Sequence, residues 1–124
     1  MNALTELSGP LAASSGKQFE DDLKLLRSQY VFRNEPVIKR FLLGHPSAVS
    51  TLSAATSQLK ESFGQDIIPT LEATVEEDES ISLYGIAIWR GSAAAAELAL
   101  EDFDQRWWLN QTPHPGLNFT YELA

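Results

Sequence analysis

Two histidines are the first residues to consider for catalysis or metal binding. His45 and His114 each stand beside a proline, in a predicted helix junction and a predicted loop. An imidazole titrates near neutral pH, so either ring could serve as a general base or a metal ligand. However, the two rings are far apart in sequence, and the chain has no cysteine. The sequence therefore predicts no catalytic set, no metal site and no cofactor, and it favours a loop or capping role for both histidines.

The densest charge run is the acidic stretch Glu-Glu-Asp-Glu at residues 76–79. Four carboxylates could bind Ca²⁺ or contact a basic partner, but the ligand alternation and the glycine of a calcium loop are missing. The run falls between two predicted strands, where charge at a hairpin tip discourages pairing of sheet edges. A solvated tip is the simplest interpretation, with Glu77 and Asp78 as the contacts if a partner protein binds there.

Trp107 and Trp108 form the most unusual pair in the chain. Successive helical residues point about 100° apart, so both rings cannot follow one buried stripe. The spacing of the apolar residues assigns Trp107 to the core. Trp108 then either forms a second wall of the core under a proline-rich loop or anchors an interface, since tryptophan is enriched at binding hot spots.

A basic cluster is predicted at Arg33, Lys39 and Arg40. It could contact an anionic ligand or an acidic neighbouring subunit, although a solvated helix face is the more common arrangement. Three charges are too few for strong binding to a phosphate backbone. Because the formal net charge of the chain is −8, we expect no nucleic-acid binding.

The charge is divided unevenly along the 124 residues. Residues 1–60 carry a net charge of +2, whereas residues 61–124 carry −10. Such asymmetry is typical of a charged interaction face, and unlike halves of two copies could also attract each other. The length fits one domain, which we expect over residues 17–124, behind a flexible tail of residues 1–16.

Targeting signals are not apparent in the sequence. Residues 1–16 lack the basic start of a secretory signal, and Glu6 interrupts their apolar stretches. No apolar run approaches the roughly 18 residues of a membrane span. The sequence therefore predicts a cytoplasmic protein without membrane contact.

Three helices are predicted in the first half. Ser15 and Gln18 match a capping box, and an apolar stripe follows until the segment 34–36 (Asn-Glu-Pro) ends the first helix. A short apolar helix runs to Gly44, and a third helix runs to Gly64. One face of the third helix is apolar at helical spacing: Val49, Leu52, Thr56, Leu59 and Phe63.

The hydrophobic pattern changes after Gly64. Residues 66–76 alternate at period two, residues 81–89 are apolar on both faces, and residues 117–123 alternate again, which predicts three strands. A helix that begins at Gly91–Ser92 precedes the third strand. The fold class is therefore α+β, a cluster of three helices followed by β-β-α-β, with a three-stranded sheet covered on one face by helices. We expect the second strand in the middle; the alternative places the first strand there.

Two segments resemble a group of small bacterial proteins. Residues 41–46 (FLLGHP) and 103–109 (FDQRWWL) are similar to proteins, frequent in cyanobacteria, that pair an FLxxHP helix junction with an FDxxWWL helix end and a final alternating strand. The resemblance covers residues 19–123. It implies a shared fold and a prokaryotic source, and it implies no catalytic residue.

These observations favour a non-enzymatic protein that binds another protein. The second half is acidic, Trp108 is not assigned to the core, and no catalytic signature is present. An acidic regulator of a basic partner, as antitoxins and nuclease inhibitors are, would fit, and so would a homo-oligomer. The alternative is an enzyme or small-ligand binder with a pocket between the helical cluster and the sheet, lined by His45, Tyr84 and Trp108.

Overall fold

Four helices and one mixed sheet are formed by the residues that the structure describes. The computed structural model describes residues 3–124, with side chains from Gly16 onward. The helices are α1 (Ala3–Gln29), α2 (Glu35–Gly44), α3 (Ala48–Phe63) and α4 (Ala93–Arg106), and a 3₁₀ turn (Trp108–Asn110) follows α4. The strands are β1 (Val31–Arg33), β2 (Thr70–Val75), β3 (Ile81–Trp89) and β4 (Leu117–Leu123).

The sheet has the order β1-β2-β3-β4. β1 is parallel to β2, β2 is antiparallel to β3, and β3 is parallel to β4. The predicted α+β class is confirmed, whereas the predicted three-stranded sheet is wrong because β1 adds a fourth strand beside β2. β3, the second of the predicted strands, lies between β2 and β4.

β1 is the element that sequence periodicity does not reveal. Its three residues are too few to show alternation, and the helical stripe of the first helix continues to Tyr30, next to it. The strand forms through a long-range contact: the Val31 N–H donates to the Pro69 carbonyl at 2.9 Å. Tertiary pairing with β2 therefore decides its conformation, not local propensity.

The first helix also begins earlier than predicted. α1 starts at Ala3, so the Ser15–Gln18 pair does not mark a helix start. Gln18 lies inside the helix, where its side-chain amide donates to Asp22 Oδ1 at 2.8 Å. The tail predicted at residues 1–16 falls on positions whose side chains, Gly16 apart, lie outside the described residues, and its mobility stays a prediction.

The core lies between the helices and one face of the sheet, which we call the inner face. All five residues of the predicted α3 stripe are buried, which confirms that face. The residues that the strands contribute to the core alternate, as a pleated strand requires: Leu71, Ala73, Leu83, Ala87, Leu117 and Phe119. The opposite, outer face carries the residues in between, among them Glu72, Tyr84 and Glu122.

Candidate functional site

One groove collects side chains from three parts of the chain. We call it the hairpin groove, because it lies where the end of α2 meets the β2–β3 turn and the residues before β4; its volume is about 580 Å³. Its lining combines apolar and polar groups: Arg40, Phe41, His45, Glu79, Ser80, Ile81, Ser82, Pro115 and Gly116. Concave sites with an apolar lining and a few convergent polar groups are typical of binding sites.

His45 is fixed in this groove by the end of α2. It occupies the C-terminal cap, where its backbone N–H donates to the Leu42 carbonyl. Its ring stacks on Phe41 with a centroid distance of 4.3 Å and an interplanar angle of 16°. Nδ1 lies 3.0 Å from the Phe41 carbonyl oxygen, which can only accept, so Nδ1 carries the hydrogen. Nε2 is then left to interact with a ligand.

The acidic turn is held in one conformation by its own side chains. Asp78 Oδ1 accepts hydrogen bonds from the Ser80 backbone N–H at 3.0 Å and from Ser80 Oγ at 2.5 Å. These bonds favour the ionised carboxylate and hold the pKa of Asp78 below its ordinary value. Glu79 adopts a left-handed backbone with φ of 67°. Asp78 therefore shapes the turn, while Glu77 is exposed to solvent.

The predicted basic cluster is dispersed in the structure. Lys39 Nζ lies 3.7 Å from Glu35 on the same helix, and Arg33 lies on the outer face of the sheet. Arg40 alone lines the hairpin groove. Within the described side chains, no carboxylate lies at ion-pair distance from Arg40. Of the three predicted cations, Arg40 is therefore the one that can contact a ligand in the groove.

Arg33 has a structural role that its sequence context does not indicate. Its guanidinium contacts Glu72 Oε1 on β2 at 3.1 Å and forms two bonds of 3.0 Å to the Glu122 carboxylate on β4. Because β3 lies between β2 and β4, this side chain spans the outer face. The paired guanidinium lowers the pKa of Glu122. Arg33 thus links the basic first half of the sequence to the acidic second half.

The three residues of the alternative pocket lie in different places. His45 lines the hairpin groove, and Tyr84 lies on the outer face opposite Glu72. Trp108 packs edge-on against Phe119 at a centroid distance of 4.7 Å and lines a separate cavity of about 230 Å³. Half-buried against the core, Trp108 forms the second wall that the sequence left open as one of its two roles.

A hydroxyl–imidazole contact was not predicted. Thr51 Oγ1 on α3 lies 3.0 Å from His114 Nε2, across 63 positions of sequence, and no local pattern signals such a distant pair. A nucleophile and base of this kind need a third group to orient the base. Among the described side chains, none hydrogen-bonds to the other ring nitrogen of His114. The contact therefore ties the loop before β4 to α3.

Metal ligation has little support in the described part of the chain. From Gly16 onward, no three histidine, aspartate or glutamate side chains lie close enough together to hold a metal ion. Among the groove residues that the sequence does not single out are Phe41 and Ile81, and Glu79 is known from the sequence only as part of the acidic run. The first two belong to buried patterns and the third to the acidic run, so only folding shows that they share a surface.

None of the helices described over residues 3–124 has both the length and the apolar composition that a bilayer crossing requires.

Comparison with known proteins adds no relative. No protein-family model, no curated protein and no solved structure matches the chain. Any function must therefore be argued from the hairpin groove and the surfaces around it.

Proposed function

We propose that this protein is a non-enzymatic module that binds a basic partner protein through the hairpin groove and the adjoining acidic turn. The observation that carries the proposal is the position of the groove. Arg40, His45 and the acidic turn are three separately predicted features, and each contributes to the surroundings of this one concavity.

The groove offers the composition that interface centres commonly have. Ile81 and Pro115 provide apolar surface above the buried Phe41, while Arg40 and Glu79 add opposite charges. Binding energy at interfaces concentrates where an aromatic or aliphatic side chain enters such a pocket. The lining is also preorganised, because His45 stacks on Phe41 and Asp78 fixes the turn. A partner would therefore lose little free energy in ordering this surface.

The charged groups near the groove indicate that the proposed partner is basic. Near the groove, the acidic turn carries the exposed carboxylates of Glu76, Glu77 and Glu79. Several cations of the chain are already paired with its own acids, as Arg27 is with Glu35 at 3.0 Å. Because the formal net charge is −8, carboxylates remain in excess after such pairing, and complementary charge would raise the association rate and set the orientation. Arg40 would select a carboxylate on the partner at one defined point.

Site-specific photo-crosslinking in the source cells tests this proposal. A photoreactive phenylalanine derivative replaces Ser82, which lines the groove, and in a matched control it replaces Ser57, which is exposed on α3. We expect one protein adduct from position 82 and none from position 57. Fractionation of the same cells checks the cytoplasmic location that forms part of the proposal. Equal labelling from both positions would count against the groove.

Charge variants of the acidic turn complete the test. Glu77 is exposed and does not shape the turn, so Glu77→Gln and Glu77→Lys change the charge while Asp78 keeps its hydrogen bonds. We expect the adduct from position 82 to weaken with Gln and to weaken further with Lys. An adduct of unchanged yield in the Glu77→Lys variant would rule out a basic partner.

A further inference from the structure

β4 is a long strand at the edge of the sheet. It pairs with β3 on one side, and the hydrogen bonds at its two ends define which residues face that neighbour. The Gly116 carbonyl accepts from the Leu83 N–H at 2.7 Å, and the Ala124 N–H donates to the Trp89 carbonyl at 2.9 Å. Backbone groups alternate in direction along a strand. The even-numbered residues of β4 therefore face β3, and the N–H and C=O groups of the odd-numbered residues face outward.

This outward edge has few of the features that protect edge strands. Proteins commonly block such edges with proline, lysine, a bulge or a covering loop. The sequence of β4, LNFTYEL, contains neither proline nor lysine. Within the described residues, no hydrogen bond reaches the outward N–H groups of Phe119, Tyr121 or Leu123. The one charged residue of the strand, Glu122, is already held by Arg33.

The strand is also a palindrome in chemical type about Thr120. Reading outward from Thr120 in both directions gives an aromatic residue, a hydrogen-bonding polar residue and a leucine. The matched pairs are Phe119 with Tyr121, Asn118 with Glu122, and Leu117 with Leu123. In an antiparallel pair centred on Thr120, each residue would face its match from the other copy.

We propose that β4 pairs antiparallel with β4 of a second copy of this chain, around a two-fold axis at Thr120. The outward backbone groups of Phe119 and Tyr121 then face each other across the axis, as a hydrogen-bonded pair requires. Each Asn118 amide meets the Glu122 carboxylate of the other copy, and Thr120 faces Thr120. Threonine pairs and aromatic pairs are among the favourable cross-strand contacts. The dimer has one continuous sheet, and it does not rest on the proposed partner of the hairpin groove.

Disulfide trapping tests the register directly, because the chain contains no cysteine of its own. Thr120 would face its own copy in a non-hydrogen-bonded pair, in which the Cα atoms are about 4.5 Å apart. Thr120→Cys is therefore expected to form a covalent dimer on mild oxidation. Asn118→Cys, on the same strand and face, is expected to remain monomeric when oxidised alone. It should crosslink when mixed with Glu122→Cys.

Sedimentation equilibrium measures the same contact without a crosslink. Thr120→Lys places two like charges opposite each other and is expected to weaken dimerisation at least about tenfold, whereas Thr120→Val leaves it intact. Circular dichroism checks that both variants fold, and if Thr120→Lys does not, the disulfide experiment alone decides. A wild-type protein that stays monomeric, or an Asn118→Cys variant that crosslinks as well as Thr120→Cys, would overturn the proposal.

Discussion

At the scale of single residues, Gly85 shows how closely the inner face is packed. A Cβ atom added there would lie 2.6 Å from two ring atoms of Phe119. The Phe119 ring cannot move freely, because Trp108 and Phe103 pack against it at centroid distances of 4.7 and 5.2 Å. Glycine at this position is therefore a packing requirement of the sheet.

Gly85→Ala is accordingly expected to lower the free energy of unfolding by about 1–3 kcal/mol, the usual cost of overpacking a core. Urea denaturation measures the change, and tryptophan fluorescence reports the displaced Phe119 ring. Gly44→Ala is the matched control, since a Cβ there meets no atom within 4 Å. We expect that variant to change stability by less than about 0.5 kcal/mol. Equal losses in the two variants would contradict the packing explanation.

The ion pair of Arg33 with Glu122 is expected to make part of the folding stability depend on pH. The guanidinium lowers the pKa of Glu122 from its ordinary value of 4.5. A carboxyl with a lowered pKa in the folded state contributes stability above its ordinary pKa and loses it as the pH falls through the lowered value. Arg33→Gln is therefore expected to be less stable than wild type at neutral pH, with the difference shrinking in acid. A difference that stays constant from neutral pH to pH values below 4.5 would exclude this linkage.

At this scale, the sequence indicates which residues could form contacts, but not which partners they contact. His45 was expected to cap or to line a pocket, and it does cap α2. Arg33 and Arg40 looked equivalent in the sequence, yet one is paired and the other lines the groove. The difference comes from carboxylates far away in the chain, which only the fold brings near.

At the scale of elements, the helices and strands with a strong hydrophobic periodicity could be predicted from the sequence. A segment too short to show a period could not. The α3 stripe was predictable because five positions repeat at helical spacing, and β3 was predicted at its observed bounds. The start of α4 was also correct, since Ser92 Oγ accepts a hydrogen bond from the Ala95 N–H at 3.1 Å. β1 could not be predicted, because its conformation depends on pairing with a strand that follows much later in the sequence.

A hydrogen bond joins the residue that follows α1 to α3. The buried Tyr30, just after α1, donates its hydroxyl to the Leu52 carbonyl on α3 at 2.6 Å, and burial raises the pKa of this phenol. Tyr30→Phe is expected to cost about 1 kcal/mol in the free energy of unfolding. Tyr84→Phe is the control, because its hydroxyl has no hydrogen-bond partner among the described residues. Similar losses in both variants would show that the Tyr30–Leu52 bond contributes nothing specific.

At the scale of the whole molecule, the formal net charge of −8 describes neither half of the chain. The basic first half is partly neutralised inside the molecule, most directly by Arg33 with Glu72 and Glu122 of the second half. Attraction between unlike halves of two copies is correspondingly reduced. This favours edge pairing of β4 over charge pairing as the basis of a dimer.

Added salt is expected to affect the two proposed interactions differently. The Tyr121 hydroxyl lies 3.3 Å from Glu97 on α4, so Glu97 and its copy would lie on the same face of the continuous sheet in the dimer. Salt screens their repulsion, and we expect the dimer to become tighter or stay unchanged as ionic strength rises. Binding of a basic partner to the acidic turn should weaken under the same conditions. Sedimentation across a salt series measures the first effect, and a dimer that dissociates in high salt would contradict it.

The most direct test of the central claim, that the hairpin groove binds a basic protein segment, is the identity of the peptide crosslinked from position 82. Mass spectrometry of the purified adduct gives its sequence. We predict a single peptide rich in lysine or arginine, recovered from position 82 and not from position 57. An acidic or neutral peptide, or a mixture of unrelated peptides recovered equally from both positions, would contradict the claim.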